Sequence, residues 1–228
     1  MIIQRRIRKY QAPLHKYMLE GGMENKRAIS IAHRRWGKDE IALDVTFQAL
    51  IDRPATYWTC LPEFAQARKA IWSAVNPHTG RRRIDEAFPE ELREVTNEGE
   101  MFIRFKNGAT WQVIGSDRYN SLVGASVAGI TFSEWALANP SAWGYISPML
   151  RENNGWAMFV TTPRGKNHAF EMYNYGMKTE GWFAEISNVV DTGAFAEAQL
   201  NEIKAEYVAL YGADFGAAQF EQEYMCSF

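Results

Sequence analysis

The sequence predicts an α/β fold in which a mainly parallel sheet is covered by helices on both faces. Three observations carry that prediction. Short apolar runs of strand length recur along the chain, separated by stretches whose apolar residues fall at helical spacing. The runs are apolar throughout rather than alternating, as strands buried on both faces require. With 46% of 228 residues apolar and 14% aromatic, the chain can bury one sizeable core.

Taken in order, "YQAPLHKYM" opens a helix at Gln11, and "RAISIA" is a buried strand entering the loop "AHRRWGKDE". "DEIALDVTFQALI" is the helix that leaves the loop, with its apolar residues on one face. "ATYWTC" is a second strand, and Pro62 starts the helix "PEFAQARKAIWSAV", since proline suits a first helical turn. "NPHTGRRRIDEAFPEE" is a polar excursion rich in turn residues. "MFIRF" and "TWQVIG" flank Lys106-Asn107-Gly108, and Asn-Gly between alternating runs signals a hairpin. "VAGITF" is a further strand, "SAWGYISPMLREN" a helix broken near Pro148, and "WAMFVTT" a strand ending in a Thr-Thr-Pro turn. "HAFEMYNYG", "WFAEIS" and a long helix from about Phe195 to Tyr211 continue the alternation. No internal repeat or low-complexity linker interrupts it, so residues 1–228 read as a single domain.

The net charge of -2 and the pI near 6.1 argue against a surface that coats nucleic acid everywhere. Basic residues nevertheless gather early, from Arg5, Arg6 and Arg8 to Lys38, while beyond residue 180 acids dominate around Lys204. That polarity suits a polyanion at one end, or is an ordinary patchy surface. Cys60 and Cys226 have no metal-type spacing, which excludes a zinc motif and fits a reducing compartment. The start "MIIQRRIRKY" lacks a signal-peptide core, and no apolar run reaches the roughly 20 residues of a membrane span. Most of the eight Trp residues sit inside apolar runs and are expected in the core rather than as base-stacking platforms.

The chemistry lies at strand ends, where α/β sheets bind ligands. "AHRRWGKDE" joins a strand to a helix, the place of a phosphate-binding P-loop, which ends in Gly-Lys followed by a Ser or Thr that holds magnesium. Gly37 lets the backbone wrap a phosphate, Lys38 reaches the β and γ oxygens, and Arg34 and Arg35 add charge. The plain alternative is a basic surface turn. "GITFSEWA" delivers Ser133 and Glu134 to the sheet edge, where a Walker B strand carries an Asp for magnesium and a Glu for the attacking water. The first motif thus has a carboxylate, Asp39, where a hydroxyl is usual, and the second has the hydroxyl of Ser133 where a carboxylate is usual. The pair supplies the same charge and oxygens in exchanged places, consistent with a hard cation that takes one or two carboxylates. A third end, "FVTTPRGKNH", sets Thr161 and Thr162 where hydroxyls sense a γ-phosphate or water, or merely end the strand.

The order of "YQAPLHKYM", "AHRRWGKDE", "GITFSEWALANP" and "FVTTPRGKNHAF" resembles the ATPase domain of the large terminase subunit of tailed bacteriophages. The resemblance implies a P-loop NTPase fold of the additional-strand type, with ATP and Mg2+ as cofactors and hydrolysis driving double-stranded DNA into the procapsid. It implies an ATP site formed by Gln11, Arg34, Arg35, Trp36, Gly37, Lys38, Asp39 and Glu40, with Gln11 reading adenine and Thr161 and Thr162 coupling hydrolysis to movement. Glu134 and Lys38 are the catalytic expectations, and Asp39 with Ser133 the metal ligands. An arginine finger comes from Arg34 or Arg35 in cis, or from Arg118 of "GSDRYNSLVG" in trans. Arg81, Arg82 and Arg83 either touch DNA phosphates or form a solvated loop. Portal protein, small terminase subunit and a homo-oligomeric ring are the implied partners, in the host cytoplasm and transiently on the procapsid. Large terminases also carry a C-terminal nuclease; 228 residues leave no room for one, so the chain is read as the motor part of a longer protein without nuclease activity. A helicase-like translocase and a nucleotide-binding module that no longer hydrolyses are the competing readings.

Overall fold

A computed structural model describes residues 7–122 and 124–228; Arg5 and Arg6 lie outside the described residues. The strands are β1 (Arg27–Ala32), β2 (Thr56–Leu61), β3 (Arg93–Asn97), β4 (Phe102–Phe105), β5 (Thr110–Gly115), β6 (Gly129–Ser133), β7 (Trp156–Thr161) and β8 (Trp182–Ser187). They form one sheet in the order β3-β4-β5-β2-β6-β7-β1-β8. All neighbours from β5 to β8 are parallel, and the β4 and β3 edge is antiparallel. The helices are α1 (Ala12–Leu19), α2 (Lys38–Asp52), α3 (Phe64–Ala67), α4 (Arg83–Ala87), α5 (Ser141–Glu152), α6 (His168–Lys178), α7 (Val189–Thr192), α8 (Glu197–Tyr211) and α9 (Ala213–Tyr224).

Side-chain alternation along the central strands explains why they are apolar throughout. Ala28 and Ala32 of β1 and Met158 and Val160 of β7 face a core shared with Leu14 and Met18 of α1 and Ile41 and Val45 of α2. Ile29, Ile31, Ala157 and Phe159 point the other way, against Ile146 and Leu150 of α5 and Ala169 of α6. Each large side chain so buried stabilises the fold by about 1.5–3 kcal/mol. Six of the eight tryptophans, among them Trp36, Trp72, Trp111 and Trp135, are buried, as expected for core residues. A third cluster, Val189, Phe220 and Tyr224, ties α7 to α9.

The structure corrects several element expectations. The helix expected from Pro62 begins at Phe64, and after Ala67 it continues in a wider π-type turn, Arg68–Trp72. α5 runs unbroken through Pro148. The carbonyl that loses its donor belongs to Gly144, which is exposed to water and has nothing within 4 Å of a Cβ position, so the ring meets no side chain there. The polar excursion contains the short helix α4 and leads into β3, which the sequence reading did not contain. β3 buries Arg93 and exposes its other four residues, so it has no apolar signal. The last long helix starts at Glu197 and stops at Gly212 (φ 86°, ψ 162°), where α9 begins on a new axis.

Candidate active site

The site sits at the carboxyl ends of β1, β7 and β6. Register pairs Ile31 with Thr161 and Val160 with Ser133, so the three strands finish level. β7, carrying Thr161, lies between the strand that enters the Gly-Lys loop and the strand that ends at Ser133. The loop turns back on itself at Arg35 (φ 65°) and Gly37 (φ 92°), and α2 starts at Lys38. Gly37 is required twice over. Its φ suits glycine, and a Cβ there would lie 2.2 Å from Arg8 Nη1 and 2.8 Å from Gln11 Nε2. The first-turn amides of α2 have no carbonyl one turn back, which leaves the loop ready for an anion.

Lys38 is buried and folds back over the loop. Its Nζ donates to Thr162 Oγ1 at 2.9 Å and to the carbonyls of Ala32 and His33 at 3.3 Å, and stands 4.0 Å from Glu134 Oε1. His33 is wholly buried, its Nδ1 2.6 Å from the Arg34 carbonyl and its Nε2 2.8 Å from Thr192 Oγ1, and burial lowers its pKa. Asp39 and Ser133, 94 positions apart in sequence, meet: Ser133 Oγ donates to Asp39 Oδ1 at 2.6 Å. A hard anionic oxygen beside a hard neutral one is a donor set that fits magnesium. Among the described residues no group of three or more His, Cys, Asp or Glu side chains could hold a metal, so an ion here would rest on this pair and on phosphates.

Glu134 follows β6 in the left-handed region (φ 53°, ψ 47°), a conformation that costs a non-glycine residue on the order of 1–3 kcal/mol and persists where the surroundings enforce it. They do so on three sides. Thr161 Oγ1 accepts from Ala136 N–H at 3.0 Å and donates to the Thr162 carbonyl, Asn167 Nδ2 donates to the Ala136 carbonyl at 2.9 Å, and His168 Nε2 lies 2.7 Å from the Trp135 carbonyl. The Glu134 side chain keeps 31% of its exposure and lines the cleft. Burial is the leading influence and raises its carboxyl pKa. Lys38 opposes the rise, Asp39 adds to it, and the Thr162 N–H and Arg164 oppose it further.

A cavity of about 980 Å3 opens above the loop, lined by Gln11, Arg35, Gly37, Lys38, Asp39 and Glu134 among others. The other expected residues divide. Gln11 is buried; its Nε2 donates to the carbonyls of Trp36 (3.0 Å) and Gly37 (3.3 Å), and its Oε1 accepts from Arg8 N–H. Both amide hydrogens therefore hold the loop, and one Oε1 lone pair remains for a base. The Trp36 indole points into the core, donating to Ser187 Oγ at 2.8 Å, so only its backbone serves the loop. Glu40 pairs with Arg8 at 3.3 Å. Arg35 lines the cleft, whereas Arg34 turns to α9 and does not. Arg34 Nε stands 2.5 Å from Glu223 Oε2, a charge contact off the hydrogen-bond line, and Arg34 N–H donates to the Glu223 carbonyl. Arg118 is exposed, 3.8 Å from Asp117 and 4.8 Å from the Phe64 ring centroid. Arg82 is bound to Asp85 and Glu98 at 2.9 Å each and does not line the cleft, while Arg81 and Arg83 do.

Sequence reasoning missed Arg8, Arg164 and Glu223. Arg8 Nη1 donates to the Trp36 carbonyl 28 positions away, a relation with no local signal. Arg164, just past Thr162, makes a very short contact with the same Glu223 carboxylate that holds Arg34. Glu223 had a signal: it falls in helical register with the buried Gly216, Phe220 and Tyr224, and an acid on an apolar stripe needs a partner.

No family model matches the sequence. The chain is 27% identical over 168 residues to the large terminase subunit of Thermus phage G20c, and 29% identical over 146 residues to that of Escherichia phage T5. These matches cover 67% and 63% of this chain, but only 34% and 32% of the relatives, so the matched region spans about a third of their length. Among solved structures, the large terminase ATPase domain of Thermus phage P74-26 superposes with a TM-score of 0.73 at 21% identity, covering 98% of this chain and 94% of that one. The chain has the fold of a large-terminase ATPase domain. The large terminase of another thermophilic bacteriophage, solved in complex with ATP-γ-S, gives a TM-score of 0.67 at 14% identity, over 96% of this chain and 52% of that one. The additional-strand order expected from the resemblance is the one observed, with β7 between β1 and β6. Among the described residues no helix is long and apolar enough to cross a membrane.

Proposed function

We propose that this chain is the ATP-hydrolysing motor part of a large terminase and that hydrolysis, with magnesium, drives double-stranded DNA into a procapsid. The observation that carries the reading is the meeting of Lys38, Asp39, Ser133, Glu134 and Thr162 at three adjacent strand ends. In this reading Gly37 and the first amides of α2 wrap the phosphates, and Lys38 exchanges its bonds to Thr162 and the loop carbonyls for phosphate oxygens. Asp39 and Ser133 hold the magnesium, which when bound with the triphosphate neutralises charge on its oxygens. Glu134 orients the attacking water and takes its proton, and the influences that raise its pKa make it a better base than a free carboxylate. Thr162 touches Lys38 while Thr161 fastens the turn after Glu134, so the pair is placed to pass a change at the phosphates to the rest of the sheet. Arg35 is the cis arginine the cleft favours, and Arg118 the exposed one offered to a neighbouring subunit in a ring.

Assignment to a longer protein, docking on a portal with a small terminase subunit, action in the host cytoplasm and the lack of nuclease activity in this part follow from the same reading. Support for it comes from the relatives' names and from the ATP-γ-S complex of the thermophilic-phage terminase. The test is phosphate release from ATP with magnesium, with and without duplex DNA, for the parent chain and Lys38→Ala. Release that depends on Lys38 is expected; nucleotide binding without Lys38-dependent release would instead make the chain a binding module.

A further inference from the structure

The cleft has a second basic wall. The segment Asn76–Arg83 faces the Gly-Lys loop across the cavity, and its arginines do not share one environment. Backbone at Arg82 is extended (φ -63°, ψ 141°) and bridges Val75, so successive side chains alternate. Arg82 is taken up by Asp85 and Glu98 and does not line the cleft, whereas Arg81 and Arg83 on either side of it do. Among the described residues neither inward guanidinium has a hydrogen bond, an ion pair or an aromatic ring.

The acids nearby are already occupied in holding the wall. Asp85 binds Arg82 and Arg93, and Glu86 accepts from Asn76 Nδ2 at 3.0 Å and makes a very short contact with Thr79 Oγ1. Glu91 is the exposed acid of the same wall. Backbone bonds from Asn76 N to the Arg81 carbonyl, Gly80 N to the Asn76 carbonyl and Arg83 N to the Ala74 carbonyl, each 2.8 Å, close the turn. Two charges on a braced turn, aimed into a cavity floored by Lys38, are organised for an anion that occupies that cavity.

We infer that Arg81 and Arg83 bind the phosphates of the nucleotide, so that this turn, rather than a DNA-facing surface, forms the far wall of the ATP site. The inference rests on the proposed function and gives Arg81 and Arg83 a nucleotide role beside the two readings the sequence left open, contact with DNA phosphates or a solvated loop. Among the described residues the cleft is lined by four arginines, Arg8 and Arg35 beside the Gly-Lys loop and Arg81 and Arg83 on the far wall, while Arg34 is held by Glu223.

The experiment is equilibrium binding of ATP-γ-S and ADP to the parent, Lys38→Ala, the double variant Arg81→Ala/Arg83→Ala and the double variant Arg81→Lys/Arg83→Lys, with duplex DNA binding measured in parallel. Loss of about tenfold or more in ATP-γ-S affinity is expected for the alanine pair, with partial recovery in the lysine pair and unchanged DNA affinity. Among the described residues the substitutions remove no side-chain bond, so the far-UV spectrum and unfolding midpoint should stay at the parent's values. Parent-like nucleotide affinity in the alanine pair, with or without weaker DNA binding, would overturn the inference while leaving the proposed function standing. A parent chain that binds neither nucleotide, or binds them equally well without Lys38, would instead overturn the proposed function.

Discussion

The meeting of Asp39 and Ser133 makes a prediction in which two harmful changes repair each other. Ser133 is 1% exposed and donates at 2.6 Å to an Asp39 that is half-buried. Ser133→Asp alone would set two carboxylates face to face. At about 4 Å and an effective dielectric near 20 such a pair repels by roughly 4 kcal/mol, and the half-open position of Asp39 reduces that to about 1–3 kcal/mol. Asp39→Thr alone leaves two hydroxyls and no anionic oxygen for the metal. In the double variant a threonine hydroxyl again donates to a carboxylate, with the partners reversed. The coupling should be favourable by about 1–3 kcal/mol in denaturant unfolding, and by about 5- to 150-fold in magnesium-dependent ATP hydrolysis. Recovery will be partial, because Asp reaches one atom further than Ser or Thr, so exchanging the partners would shift an ion held between them away from β6 and toward the Gly-Lys loop. Four chains and two assays suffice. A double variant no better than the worse single in both would mean that these residues do not act as one pair.

Lys38→Ala should lose nucleotide affinity and turnover together, whereas Glu134→Gln should keep affinity and lose turnover by about 10²-fold or more, as measured by nucleotide titration and phosphate release. Since burial raises the Glu134 pKa, the acid limb of the hydrolysis profile should lie above the ordinary glutamate range. The sign for stability is opposite: the ionised form is disfavoured in the fold, the cost is present above the raised pKa and vanishes below the ordinary one, so Glu134→Gln should raise the unfolding midpoint at neutral pH. Gln11→Ala takes donors from two loop carbonyls and should cost about 1–3 kcal/mol and weaken ATP and GTP alike; a selective loss of ATP preference in competition binding would show base reading instead. If Arg118 acts across a subunit boundary, mixing Arg118→Ala with Lys38→Ala chains should restore some hydrolysis, and mixed assemblies without recovery would end that role.

What the sequence revealed follows from distance along the chain. β1, β2, β6 and β7 were legible because strands buried on both faces leave continuous apolar runs, and the β4 and β5 hairpin because Asn107-Gly108 marks its turn. Asp39 and Ser133 could be paired before any coordinates, because each broke a known motif in a complementary way. β3 was invisible, since an edge strand that buries one arginine has no hydrophobic pattern. The separation of Arg82 from Arg81 and Arg83 was equally hidden: three like letters carry no record of which way an extended backbone turns each. Glu223 was legible only in hindsight, because its partners lie 189 and 59 positions away.

That glutamate has a mechanical consequence. One buried carboxylate on α9 grips Arg34 at the entrance of the Gly-Lys loop and Arg164 just past Thr162, and the backbone of Arg34 bonds to the same residue. The carboxylate is buried while Arg34 is half-exposed, so Glu223 depends on these two guanidinium groups more than they depend on it. Through that one residue α9 is tied both to the segment after β1 and to the segment after β7. A displacement of the Gly-Lys loop at Arg34 and one of the segment past Thr162 would therefore load the same carboxylate, which makes α9 the place where the two meet outside the sheet.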